Sequence, residues 1–333
     1  MSWSGSPVRR AVQHLGAVAP AGVTLTCSGD APAAARPGAH RGIDRDDGGV
    51  TAAPPAVRGI SALADLLADG DALVLSGAGI STDSGIPDYR GATGSLRRHS
   101  PMTWQTFTRD PRGRHRYWAR SHIGWRQIAA ARPNAGHRAV ASLQQAGAVG
   151  EVITQNVDGL HQAGGARDVL ELHGGLDRTV CLACGDVADR AGLDARLRAV
   201  NPGFRPETGT EDEVNPDGDV ELPDEALDGF VMVGCLACGG GPLKPDVVFF
   251  GEMVPRDRVD ACFGLVDRAR SLVVLGSSLT VMSGYRFVIH AAKRGIPVGI
   301  VNSGATRGDA KADVRVDAPL GEVLPELASR LAG

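Results

Sequence analysis

The chain has 333 residues, 43% hydrophobic and 22% charged, enough apolar material to bury one large core or two modest ones. A formal net charge of −3 leaves no electrostatic footprint for nucleic acid or an anionic membrane surface. No apolar run reaches the roughly 18–20 residues that a membrane span needs.

Residues 1–56, including "APAAARPGAHRGIDRDDGGVTAAPP", carry no sustained period of 2 or 3.6 and are expected to form a disordered extension. No charged-then-apolar leader with a cleavage site is visible, and Asp44, Asp46 and Asp47 argue against a transit peptide. The expected compartment is the cytoplasm. From Val57 the pattern changes: "ISALADLLADG" has helical spacing and "DALVLSG" is a short apolar run stopped by glycine. Further runs follow in "GEVITQN", "DVLELHG", "PDVVFFGE", "SLVVLGSS", "IPVGIVNSG" and "ADVRVDAP", with helical patterns such as "RDRVDACFGLVDRAR" and "SGYRFVIHAAKRG" between them. Strands alternating with helices predict an α/β fold with a doubly wound, parallel, Rossmann-like sheet. Such a core would take residues 57–91, 134–178 and 244–333. Two insertions interrupt it: a helical one over 92–133 containing "RYWARSHIGW", and a small module over 179–243 bracketed by two copies of CLACG.

In a doubly wound sheet ligands bind beyond the carboxyl ends of the strands, so the loops there are where chemistry is expected. In "SGAGISTDSGIPDYRG", Gly77 and Gly79 permit close backbone approach to a pyrophosphate at the open N–H groups of a following helix. A glycine loop alone fits an ordinary tight turn equally well, but Asp88, Tyr89 and Arg90 add a polar trio that a plain connection does not need. "TQNVDGLHQAGG" offers Gln155, Asn156 and Asp158, which suit a carboxamide and ribose hydroxyls, although each singly could be a cap. His173 in "ELHGG" stands where a neutral imidazole would accept a proton. The small residues Gly276, Ser277 and Ser278, and Asn302, Ser303 and Gly304, permit backbone contact with an adenosine or ribose.

Four of the six cysteines form two C-x-x-C pairs, Cys181 with Cys184 and Cys235 with Cys238. Four thiolates suit a closed tetrahedral zinc site, which leaves no open position for Lewis-acid chemistry. The 50 residues between Cys184 and Cys235 exceed common ribbon spacing, but loop-closure cost grows slowly with length. A redox reading would need one pair rather than two.

The ordered set GAGIS, GIPDYR, TQNVDGLH, ELHG, C-x-x-C…C-x-x-C, PDVVFFGE, GSSL and VNSG, spanning Leu73 to about Leu327, resembles the sirtuins, the NAD-dependent protein deacylases. "RYWAR", "NP…PDGDV", "LKPDVVFFGE" and "SSLTVMSGYRF" look like the class II branch, which includes the mitochondrial-type sirtuin linked to lipoamidase and ADP-ribosyltransfer activity.

The resemblance implies NAD+ across the strand ends. Gly77, Ala78, Gly79 and Ser81 would hold the pyrophosphate, assisted by Arg90, with Asp88 and Tyr89 on the same side. Gln155, Asn156 and Asp158 would line the nicotinamide pocket. Gly276, Ser277, Ser278, Asn302, Ser303 and Gly304 would meet the adenosine half, and Leu320 would contribute a backbone contact. The implied catalytic residues are His173, as general base on the ribose hydroxyls, and Asn156. The implied products are free lysine, nicotinamide and an O-acyl-ADP-ribose. An acyl-lysine peptide would add as a strand beside Val248, Phe249, Phe250 and Gly251. The Y-x-x-R pair Tyr117 and Arg120, a spacing also seen in sirtuins that remove acidic acyl groups, shares a helix face that fits either an exposed surface with an aromatic anchor or a contact to a carboxylate on the acyl chain.

One structural Zn2+ would sit on Cys181, Cys184, Cys235 and Cys238, and the working unit is expected to be a monomer. Mono-ADP-ribosyl transfer and removal of long-chain or lipoyl groups are the alternatives within this reading. Outside it stands a hydride-transferring dehydrogenase. A zinc-ribbon nucleic-acid binder is disfavoured because the region between the cysteine pairs is acidic.

Overall fold

The computed structural model describes residues 59–91, 94, 96, 100–204 and 215–332, so the extension expected over 1–56 lies outside the described residues. In chain order the elements are α1 (Ile60–Ala68), β1 (Ala72–Ser76), α2 (Trp104–Arg109), α3 (Pro111–Ala130), α4 (Ala135–Gln145), β2 (Val149–Thr154), α5 (Leu160–Ala163) and β3 (Val169–Glu171). They continue with β4 (Gly174–Cys181), β5 (Val187–Asp189), α6 (Arg190–Val200), β6 (Leu243–Val247), α7 (Arg256–Arg268), β7 (Ser271–Leu275), α8 (Met282–Arg294), β8 (Val298–Val301), β9 (Val314–Val316) and α9 (Leu320–Leu331).

Six strands form a parallel sheet in the order β3-β2-β1-β7-β8-β9. Every residue of β1, β7 and β8 is buried, which is why these strands read as unbroken apolar runs rather than alternating ones. One face is covered by α1, α4 and α9, packing Leu63, Val140 and Leu324 on Val74. On the other, α7 and α8 pack Leu265 and Phe287 on Leu73 and Val274. The strand order runs outward in opposite directions from β1 and β7. That makes their boundary the topological switch point, where the loops diverge and leave a crevice.

The sequence pattern assigns "PDVVFFGE" to this sheet, and here the structure differs. Its strand, β6, pairs antiparallel with β4 (Cys181 opposite Leu243, Val180 opposite Lys244) in a second, three-stranded sheet ordered β5-β4-β6. Helices α2 and α3 do not form a separate module either. Phe107, Tyr117 and Trp118 share one core with Leu176, Leu193, Leu243 and Phe249, so both insertions make a single lobe. Phe249 is held between Phe107 and Tyr117, with ring centroids 5.0 and 5.2 Å away, and Trp118 Nε1 donates to Leu243 O at 2.9 Å. Burying each such ring is worth roughly 2–3 kcal/mol, which fixes the lobe against the end of β6. Gly124 lets the loop around 215–220 lie directly on α3, since a Cβ there would stand 2.8 Å from Gly218 O. Among the described residues no helix is long and apolar enough to cross a membrane.

Candidate functional site

A cavity of about 680 Å³ lies over the carboxyl ends of the parallel strands. Of the residues expected from the sequence, Gly77, Ala78, Gly79, Ser81, Asp88, Tyr89, Arg90, Gln155, Asn156, Asp158 and His173 border it. So do Val248, Phe249, Phe250, Gly251, Gly276, Ser277, Ser278, Asn302, Ser303, Gly304 and Leu320. Tyr117 and Arg120 are not among its lining residues.

The first loop is built differently from the expectation. Gly77 is extended (φ −133°), so its dihedrals do not call for glycine. Proximity does: a Cβ on Gly77 would stand 2.7 Å from Ser277 Cβ, and one on Gly79 would stand 2.9 Å from Gly276 O. Gly77 N donates to Leu275 O and Gly79 N to Gly276 O, both at 2.9 Å, so the glycines dock this loop onto the loop after β7. The chain then makes two short 3-10 turns, Ala78–Ile80 and Thr82–Ser84, rather than an α-helix.

The cavity floor is a closed hydrogen-bond network. Asn156 Nδ2 donates to Gly77 O (3.1 Å) and Ser81 Oγ (3.0 Å), and the Ser81 hydroxyl donates to Asp158 Oδ2 (2.7 Å). Asp158 Oδ1 accepts from Leu160 N at 2.9 Å, while burial pushes this carboxyl above its usual range. Gln155 Nε2 spans β1 and β7, donating to Ser76 O (3.2 Å) and Ser277 Oγ (2.9 Å). Beneath lie two buried imidazoles, His137 and His161, with centroids 5.1 Å apart. The Ser76 hydroxyl donates to Thr154 Oγ1, so at 2.8 Å it accepts from His161 Nε2–H. Burial holds His137 at about 4 and His161 at about 3, so both are neutral near pH 7.

His173 leaves β3 at the cavity wall. Its Nδ1 is 2.9 Å from Gln155 O, and a carbonyl can only accept, so the ring proton sits on Nδ1. Nε2 then carries the lone pair, 2.9 Å from Ser283 Oγ, whose hydroxyl donates to it. Burial, with Arg258 and Arg286 adding to it, lowers the imidazole below its ordinary value against the opposing Gln155 bond. The result is a neutral base of defined tautomer with Nε2 on the cavity side.

The segment after β6 is fixed to this base. Val248 N donates to His173 O at 2.8 Å, and Trp104 N donates to Phe250 O at 2.9 Å. Glu252 Oε2 accepts from Phe249 N (2.8 Å) and pairs with the buried Lys244 Nζ (3.0 Å), which also donates to Val247 O. Desolvation lowers the Lys244 ammonium, and Glu252 counters it.

Arg120 requires a correction. Its guanidinium is engaged within the lobe, with Nη2 2.5 Å from Glu221 Oε1 and 3.3 Å from Asp219 Oδ2, and Nε donating to Val220 O at 2.6 Å. Tyr117 is fully buried in the aromatic core. On this helix face Arg120 meets the 215–221 loop and Tyr117 meets the aromatic core, and neither lines the cavity.

The four expected cysteines converge, their Sγ atoms all lying within 4.8 Å of one another. Cys181 and Cys238 are 3.7 Å apart, and Cys184 and Cys235 are 3.8 Å apart. A tetrahedron of thiolates about 2.3 Å from zinc has edges of about 3.8 Å, so the set fits the ion. Gly241 packs beneath it, where a Cβ would meet Cys181 Sγ at 2.6 Å.

Sequence reasoning missed Ser283, Asp217 and the Lys244–Glu252 pair. The two former residues border the cavity, but neither motif position signals a partner distant in the chain.

A doubly wound sheet with this crevice at its switch point and a tetrathiolate lobe beside it defines a nucleotide-using enzyme with a structural metal. The chain belongs to the Sir2 family, whose model matches residues 77–283. It is 59% identical over 278 residues to NAD-dependent protein deacetylase 1 of Streptomyces coelicolor, covering 84% of this chain and 92% of that one. It is 45% identical to the NAD-dependent protein deacylase Sirt4 of Drosophila melanogaster, over 79% of this chain and 84% of that one. Among solved structures, a Sir2 complex with a p53 peptide and NAD+ superposes with a TM-score of 0.62 at 29% identity, covering 82% of this chain and 97% of that one.

Proposed function

We propose that the protein is an NAD-dependent protein-lysine deacetylase, releasing nicotinamide, an O-acyl-ADP-ribose and free lysine. The observation that carries this is His173: a neutral imidazole whose Nδ1 proton is committed to Gln155 O and whose Nε2 can take a proton from a hydroxyl in the cavity. NAD+, when bound, supplies the electrophilic ribose carbon and the nicotinamide leaving group. Gly77, Gly79, Ser277, Asn302 and Ser303, which line the cavity, would hold its phosphates and adenosine half. Gln155, Asn156 and Asp158 would meet the carboxamide end. The acyl-lysine peptide enters as a strand beside Val248–Gly251, a segment held rigid by Lys244, Glu252 and the backbone of His173. The cysteine lobe holds one zinc ion for structure only, since four thiolates complete its shell.

The Sirt4 relative supports a place on the class II branch, and with it mono-ADP-ribosyl transfer or removal of longer acyl groups as the second reading. Four cysteines grouped for a metal rather than paired as disulfides suit the cytoplasm. The test is incubation with NAD+ and a panel of acyl-lysine peptides, followed by mass spectrometry. Deacylated peptide appearing with O-acyl-ADP-ribose supports the reading. ADP-ribose on protein without deacylation of any peptide overturns it.

A further inference from the structure

The cavity has a polar group that the reaction does not use. Asp217 lines it, is only 8% exposed, and its Oδ1 has no hydrogen-bond partner among the described residues. Its side chain also hydrogen-bonds Asp219, a carboxyl–carboxylate contact that requires a shared proton. The unpartnered oxygen is therefore an acceptor awaiting a donor.

Its position is well fixed. Asn215 N donates to Asp219 O (2.8 Å), Gly218 N to Asn215 O (2.9 Å) and Asn215 Nδ2 to Asp219 Oδ1 (2.8 Å), making a tight turn seated on Gly124 of α3. The turn carrying Asp217 is tied to α3 through Asp219 and Arg120 (3.3 Å), one helical turn from Tyr117, whose ring lies 5.2 Å from Phe249. It thus lies on the peptide side of the cavity. Arg120, which could have offered a positive charge here, already serves Asp219 and Glu221.

We propose that Asp217 closes the acyl-lysine pocket and selects acyl chains that carry a hydroxyl, over plain alkyl chains and against carboxylate-tipped ones. This rests on the deacylase reading above. A hydroxyl donates to Oδ1, whereas an alkyl tail leaves that buried acceptor unpaired. A succinyl or glutaryl tail brings a third carboxylate to the Asp217–Asp219 pair, beside which the Arg120 guanidinium is already shared with Glu221. The preference is thus opposite to the acidic-acyl selectivity that the Y-x-x-R spacing suggested.

The test uses the full-length zinc-loaded protein, NAD+ and one peptide sequence carrying butyryl, 3-hydroxybutyryl or succinyl lysine. Wild type is expected to favour 3-hydroxybutyryl over butyryl in kcat/KM by about five- to tenfold, and to process succinyl at least tenfold less well than butyryl. Asp217→Leu should bring the hydroxybutyryl-to-butyryl ratio close to one. Asp217→Asn, which keeps a carbonyl acceptor, should retain most of the preference. A wild-type ratio of one overturns the proposal even if the leucine variant fails to fold, and so does a ratio unchanged in a folded Asp217→Leu protein. Turnover of acyl peptides with no such ratio defeats the Asp217 assignment alone. No turnover of any acyl peptide defeats the deacylase reading and this inference with it.

Discussion

The buried pair His137 and His161 ties stability to pH in a way that can be worked out in advance. At pH 7.5 neither ring is charged in the folded or the unfolded chain. At pH 5 the unfolded imidazoles, with an ordinary value of 6.5, are nearly all protonated, while the folded ones, at about 4 and about 3, remain neutral. The unfolded chain then binds more protons, so stability present above pH 6.5 is lost as pH falls. Each ring contributes a loss of about 2 kcal/mol by pH 5, about 4 kcal/mol for the pair. Because both folded values lie below 5, the figure depends on the unfolded value alone. Urea unfolding at pH 7.5 and 5.0, with zinc saturating, should show wild type losing about 2 kcal/mol more than His161→Gln or His137→Gln. Equal losses in wild type and variants would refute the assignment of neutral, desolvated rings.

Three further outcomes are expected from the same geometry. Burial lowers the His173 imidazole below its ordinary value, so the acid limb of kcat/KM should lie below pH 6.5; a limb at or above 6.5 would show that His173 is not the desolvated base. Cys181→Ser should lose zinc and lower the melting temperature, as should a strong chelator on wild type; a zinc-free protein melting at the wild-type temperature would contradict the clasp role. Arg120→Met should cost about 3–5 kcal/mol in stability by removing the guanidinium that pairs with the buried Asp219, while the succinyl-to-acetyl activity ratio stays within twofold; a loss of succinyl activity alone would restore the acidic-acyl role to Arg120.

The sheet was legible because parallel strands buried on both faces read as apolar runs, and β1, β7 and β8 are such runs. The same signal misplaces "PDVVFFGE": an apolar run records burial, not which sheet supplies the partner, and β6 found β4 instead. The cavity-lining residues were legible for a topological reason, since strand ends at a switch point converge whatever their sequence separation. Tyr117 and Arg120 fail where that logic stops. Spacing of three residues places two side chains on one helix face but says nothing of what that face meets, and Asp219 lies about a hundred residues away. Gly77 marks the right loop on incomplete grounds, because its tightest neighbour is Ser277, a contact between loops that no local pattern reveals.

The most direct test of the function assigned to this site is the stoichiometry of one reaction: an acetyl-lysine peptide with NAD+, wild type against His173→Ala. The expected result is one nicotinamide and one O-acetyl-ADP-ribose per lysine freed, with no NADH absorbance. His173→Ala should be slower by about 10²–10⁴-fold yet keep its zinc and its melting temperature. NADH formation, or wild-type turnover undiminished in a folded His173→Ala protein, would contradict it.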